Sequence, residues 1–263
     1  MKSVMRNLIF PMIMVLVASS AHAAGGKVTD PNGTAPDRYA YYPGTEDLAK
    51  DEIRLFACGT GLPAARRSQA ATCWLVELGN GDKFLFDVGT GSMVNVAALM
   101  IPYDFLNKVF LTHLHTDHWG DLSTLWAGGW TAGRTGPLKI WGPSGETPEM
   151  GTKYAVEHFI KSFNWDAKTR NFVLSPEPGK ITVEEFDYKA ENAVVYKENG
   201  VTIRSIPAIH AGDGPVSFIL EYAGLGAENK VSRCRIPVEG LEEMIDRVFG
   251  AHFRCRTTGP PNP

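Results

Sequence analysis

Apolar and polar positions alternate or cluster in a way that divides the chain into short strands and a few helices. Ile53–Ala57, Thr72–Leu78 and Lys83–Asp87 read as strands, with Asn80-Gly81 as the tight turn joining the last two. Lys108–Thr112 is a short apolar run of the buried-strand type. Further on, 181–186, 193–196, 201–206 and 216–222 carry the same β pattern. Helical spacing predicts a helix over 92–107, capped by Ser92 and interrupted at Pro102. A helix start and a glycine-softened loop are expected over 120–130, and a helix over 148–161. Residues 163–180 show no clear period and read as a mobile connection or a cap.

The two ends differ from this middle. Lys2 and Arg6, the apolar stretch 8–18 and Ala21-His-Ala23 have the order of a secretory signal peptide, with an uncleaved anchor as the alternative. A periplasmic or secreted location follows, with no stable membrane anchor once residues 1–23 are removed. Residues 24–51, rich in Gly, Pro, Asp and Thr, read as an extended arm. Residues 52–226 carry the folded pattern, and 227–263 form an atypical tail. One helix, Val238–Phe249, is expected there, and no buried strand before it.

The chemistry concentrates in Leu111-Thr-His-Leu-His-Thr-Asp-His-Trp119. Three of the seven histidines of the chain fall here, at 113, 115 and 118, together with Asp117. Core packing does not call for such a cluster, whereas imidazole nitrogen and carboxylate oxygen are preferred zinc ligands. In an extended segment residues two apart face the same way, so His113 and His115 can share one metal. The turn that follows can aim Asp117 and His118 at a second. His158, on an apolar helical stripe without ligand neighbours, reads as a packing or surface residue. Trp119, Trp126 and Trp130 could line a pocket or pack a helix on a sheet.

The run H-x-H-x-D-H after an apolar strand resembles the metal motif of the metallo-β-lactamase superfamily. Gly59-Thr-Gly-Leu-Pro63 with Arg66 or Arg67 and Ser68, Phe84–Gly91, and Arg134–Pro143 resemble segments of its ribonuclease Z and arylsulfatase-like branch. The resemblance covers about residues 53–224. It implies an α/β fold, a four-layer αββα sandwich, here with an incomplete second half. It implies zinc, two ions in an intact site and one or fewer possible here. His210, just beyond a strand, matches the third histidine of the first metal; Asp117 and His118 would hold the second. The implied activity is hydrolysis by a metal-activated water at a carbonyl, phosphoryl or sulfuryl centre, with Asp117 as the catalytic carboxylate. Its first role is ligation; proton relay ranks second. The resemblance makes Asp87 structural, bonding backbone near the metal loop.

Past residue 226 the family pattern stops. No Gly-Asp-Thr strand follows, and the only later histidine is His252. A disrupted reading frame near 225–230, or a truncated variant, would explain this. Asp246 could serve as the bridging carboxylate only in an unusual fold.

Charge narrows the expected partners. Removing Lys2 and Arg6 lowers the formal charge from −3 to −5. A nucleic-acid binder draws much of its affinity from basic contacts to phosphate. A small-molecule substrate (an ester, lactone, sulfate ester or phosphodiester) is therefore expected, with nucleic acid not favoured. The alternatives are a ribonuclease Z-like phosphodiesterase, a catalytically impaired or non-catalytic domain, and a redox di-iron protein. The four cysteines show no C-x-x-C spacing. Cys58 and Cys73 could pair or remain buried thiols.

Overall fold

Period-two alternation sends the side chains of each strand alternately to the two faces of its sheet. In the computed structural model, which describes residues 48–210, 212, 214–223, 231–236 and 257–258, two sheets carry this pattern. The first contains β1 (Ile53–Gly59), β2 (Cys73–Leu78), β3 (Lys83–Phe86), β4 (Lys108–Phe110), β5 (Leu138–Pro143) and β6 (Ile181–Phe186), in that order. Its first two pairings are antiparallel, and β3 through β6 run parallel. The second is antiparallel, in the order β11 (Thr257–Thr258), β10 (Val231–Ile236), β9 (Val216–Tyr222), β8 (Val201–Pro207) and β7 (Ala193–Glu198).

Trp74, Val76, Phe84, Phe86, Phe110 and Trp141 point from the first sheet onto Tyr196, Ile203, Phe218, Leu220 and Tyr222 of the second. Their neighbours Leu75, Leu85, Val109, Leu111 and Ile140 point the other way, onto helices. Burial on both faces explains why the central strands are continuous apolar runs. The helices are α1 (Ser92–Ala98), α2 (Thr116–Trp119), α3 (Leu122–Thr131), α4 (Thr152–Ser162) and α5 (Asn164–Arg170). Helices, sheet and sheet give three of the expected four layers. Among the described residues no helix covers the outer face of the second sheet, and no helix is long and apolar enough to cross a membrane.

Several details differ from the sequence expectations. The helix begun at Ser92 ends at Ala98, and Met100 takes a left-handed φ of 55° before Pro102. Ser92 is the first helical residue rather than the cap; Asp121 Oδ2 accepts from Met93 N at 2.9 Å instead. The expected glycine-softened loop is helical: α3 runs through Gly128 and Gly129. A Cβ at Gly129 would stand 2.1 Å from Arg134 Nη1, so glycine there makes room for a buried guanidinium. That guanidinium donates to the carbonyls of Leu125, Trp126 and Pro178.

The segment 163–180 is not a loose connection. It contains α5, and its backbone is held by Trp126 Nε1 donating to Gly179 O and Trp130 Nε1 donating to Ser175 O. Both indoles are buried, which settles the tryptophan cluster as packing; Trp119 packs at its edge. Cys58 and Cys73 are buried free thiols. In the tail, β10 is a strand that the sequence did not announce. The leader segment, most of the arm, Asp213, the helix expected over 238–249, Asp246, Cys255 and His252 lie outside the described residues.

Candidate metal centre

The parallel strands β3, β4 and β5 end at one edge of the first sheet, and the loops leaving that edge carry the polar residues. Asp87 follows β3, His113 and His115 follow β4, and Asp117 and His118 sit on α2. His210 arrives from the second sheet, three residues beyond β8. The loop is fixed from both sides. Leu111 N donates to Trp141 O at 2.8 Å, and Val216 N donates to Thr112 O at 3.0 Å. Gly89 is forced by close approach, because a Cβ there would lie 1.9 Å from Asp117 O.

His113, His115 and His210 offer ligand nitrogens within 4.8 Å of one another. His113 Nε2 lies 3.1 Å from His115 Nδ1, and His210 Nε2 lies 3.3 Å from the same atom. Zinc–nitrogen bonds of about 2.0–2.1 Å in a tetrahedron set nitrogens about 3.3 Å apart, so these two separations suit one zinc ion. The ring of His113 stands 3.9 Å from that of His118. Asp117 Oδ2 is 3.6 Å from His118 Nε2, longer than a hydrogen bond, and among the described residues neither carboxylate oxygen of this buried residue has a hydrogen-bond partner. A buried carboxylate without donors is costly and fits an adjacent cation. The donor set is thus three imidazoles facing the cleft and an acid–imidazole pair beside them.

Asp87 takes a left-handed φ of 60° and accepts from Thr112 N at 2.8 Å, the backbone bond the resemblance implied. Its other oxygen is 2.8 Å from both Thr112 Oγ1 and His118 Nδ1. No local spacing announces the Asp87–His118 contact or the contacts of Thr112 with two histidines. His158 is a surface residue 2.9 Å from Tyr154 O, away from the centre. Among the described residues no carboxylate joins the three histidines in a metal-ligating group.

Burial, followed by the neighbouring His118, His115 and His210, pushes the His113 pKa down to about 2. The unfolded chain takes up this proton near 6.5 and the fold does not. The stability associated with neutral His113 is therefore intact above pH 6.5 and lost progressively as pH falls toward 2. In metal-free buffer the urea midpoint is expected to fall between pH 7 and pH 5. A midpoint that is flat or rising over that range would contradict the assignment.

The family model described as "Metallo-beta-lactamase superfamily" matches residues 68–224. A Ribonuclease Z of Mycolicibacterium gilvum (strain PYR-GCK) is 31% identical over 201 residues, covering 73% of this chain and 64% of that protein. A Ribonuclease Z of Mycobacterium sp. (strain KMS) is 31% identical over 175 residues, covering 65% of this chain and 58% of the relative. The chain thus spans less than two thirds of the length of either. A long form RNase Z from yeast superposes with a TM-score of 0.50 at 11% identity, over 70% of this chain and 29% of that one, a likeness of fold.

The expected partner needs correction. A small-molecule substrate with nucleic acid disfavoured does not stand against relatives named Ribonuclease Z. The physical reason is that net charge is a sum over the whole chain, whereas phosphate contacts are local. Arg66 and Arg67 are exposed and line a cleft of about 280 Å³ with Ser68, Thr90 and Asn95. Thr90 Oγ1 donates to Thr116 O at 3.3 Å, so this cationic cleft adjoins the loop bearing Asp117.

Proposed function

Because the chain belongs to the metallo-beta-lactamase superfamily, we propose that it is a metal-dependent phosphodiesterase acting on RNA. The observation that carries the reading is the convergence of His113, His115 and His210 beside the buried Asp117 carboxylate, which has no hydrogen-bond partner among the described residues. The three histidines would hold one zinc ion, and Asp117 and His118 would contribute to a second. Zinc in such a site lowers the pKa of water from about 15.7 toward about 7 and polarises a phosphoryl oxygen.

The remaining work falls to the chain's own groups. Asp87 orients His118 through the 2.8 Å contact to Nδ1. Arg66 and Arg67 supply positive charge for flanking phosphates, where guanidinium groups bind in a forked geometry. Asp117 serves as a ligand before it serves as a base, since a carboxylate shared with a cation takes up a proton poorly. The names of the relatives support the RNA substrate, and the leader-like residues 1–23 support export.

The test uses chain recovered from the periplasmic fraction, where the N-terminus is expected at Ala24. An N-terminus at Met1 there would remove the export part. The zinc-loaded protein is expected to cleave an RNA oligonucleotide and bis(p-nitrophenyl) phosphate, and to lose both activities with chelator. Cleavage of p-nitrophenyl acetate with neither phosphodiester touched would overturn the substrate reading.

A further inference from the structure

Thr112 immediately precedes His113 and is fully buried. Its hydroxyl oxygen lies 2.8 Å from Asp87 Oδ2, 3.1 Å from His113 Nδ1 and 3.2 Å from His118 Nδ1. A hydroxyl has one proton to donate and two lone pairs with which to accept. An ionised carboxylate only accepts, so that proton goes to Asp87. Toward both imidazoles the oxygen can then only accept. Each Nδ1 must carry the ring proton, and each Nε2 carries the lone pair. His118 Nδ1 is also 2.8 Å from Asp87 Oδ2, and this requires the same tautomer independently.

We infer that Thr112 is a positioning residue: its hydroxyl sets the Nδ1–H tautomer of His113, supports with Asp87 that of His118, and so presents Nε2 of both as metal ligands. The two Nε2 atoms face the right groups for that purpose. That of His113 is 3.1 Å from His115 Nδ1, and that of His118 is 3.6 Å from Asp117 Oδ2. Thr112 is itself held in place. Its N–H donates to Asp87 Oδ1 at 2.8 Å, and its carbonyl accepts from Val216 at 3.0 Å. The hydroxyl therefore stays between the two rings. The inference rests on reading these histidines as metal ligands and needs nothing about the substrate.

The experiment uses the full, metal-free chain labelled with nitrogen-15. Long-range proton–nitrogen correlation of the imidazoles is expected to show His113 and His118 as Nδ1–H tautomers. Zinc affinity is then measured by competition with a chromophoric chelator. Thr112→Val keeps the shape and removes the hydroxyl; it is expected to lose roughly 10- to 100-fold in zinc affinity, the range for groups that orient metal ligands. Thr112→Ser restores the hydroxyl and is expected to recover most of that loss. A His113 found as the Nε2–H tautomer, or a folded Thr112→Val with unchanged zinc affinity, would overturn the assignment. If Thr112→Val does not fold by circular dichroism, the wild-type tautomers decide alone. A chain with the expected tautomers and affinities that cleaves no phosphodiester would sink the proposed activity and leave the role of Thr112 standing.

Discussion

Replacing His113 by alanine is expected to lower phosphodiester hydrolysis by about a thousandfold and to reduce the zinc retained after dialysis. Metal-ion catalysis supplies several kcal/mol of barrier lowering. At 1.36 kcal/mol per factor of ten, about 4 kcal/mol is about a thousandfold. His113 is the choice because its ring stands against all three others, with centroids 4.7 Å from His115, 3.9 Å from His118 and 4.8 Å from His210. Its loss removes a donor from the histidine group and a wall from the Asp117–His118 pair together. His158→Ala is the control, since His158 is exposed and bonded only within its own helix region. Hydrolysis within tenfold of wild type, with zinc stoichiometry intact, would remove His113 from the centre.

The largest stability effect is expected at Phe110. It is fully buried between the sheets, stacked at 4.8 Å on Trp141 and 5.2 Å from Phe86. Phe218, Tyr196 and Phe84 meet it at 5.7, 5.9 and 6.0 Å. Truncating a buried phenylalanine costs about 3–5 kcal/mol, because the rigid rings around the void cannot close it. Phe110→Ala is expected near the upper end, as each aromatic pair adds about 0.5–1.5 kcal/mol beyond area. Trp165→Ala, at a side chain 77% exposed, is expected to change stability by less than about 0.5 kcal/mol. Urea unfolding of both variants measures the difference. A Phe110→Ala loss under about 2 kcal/mol would mean that the two sheets repack.

Much of this architecture was legible because the central strands are short apolar runs, buried on both faces in the first sheet and bounded by turn residues. Lys83–Phe86 and Val216–Tyr222 could be placed within a residue or two on pattern alone. The strand Val231–Ile236 escaped because Arg233 and Arg235 interrupt any apolar run. The helix Asn164–Arg170 escaped because it has no apolar stripe, and what fixes the segment after it comes from Trp126, Trp130 and Arg134, far away in sequence. At the centre, the six-residue run announced four groups at once. His210 could be placed only through the resemblance, since a lone histidine after a strand carries little information. The contacts of Thr112 and Asp87 bring together segments 25 residues apart, and no local spacing encodes them. The partner was misjudged because a chain-wide charge was asked to describe one cleft.

The bond from Val216 N to Thr112 O also bears on the order in which the molecule assembles. His210 meets His115 across 95 residues of chain, and the two belong to different sheets. Closing so long a loop must precede any reward from the contact. During synthesis the first two histidines therefore emerge well before the third exists, and a nascent chain released through Trp119 has no complete triad to offer. The complete histidine triad is consequently a late product, assembled only when the two sheets pair. Zinc held by the triad would then lock a finished sandwich, and its withdrawal would act first on the seam between the sheets.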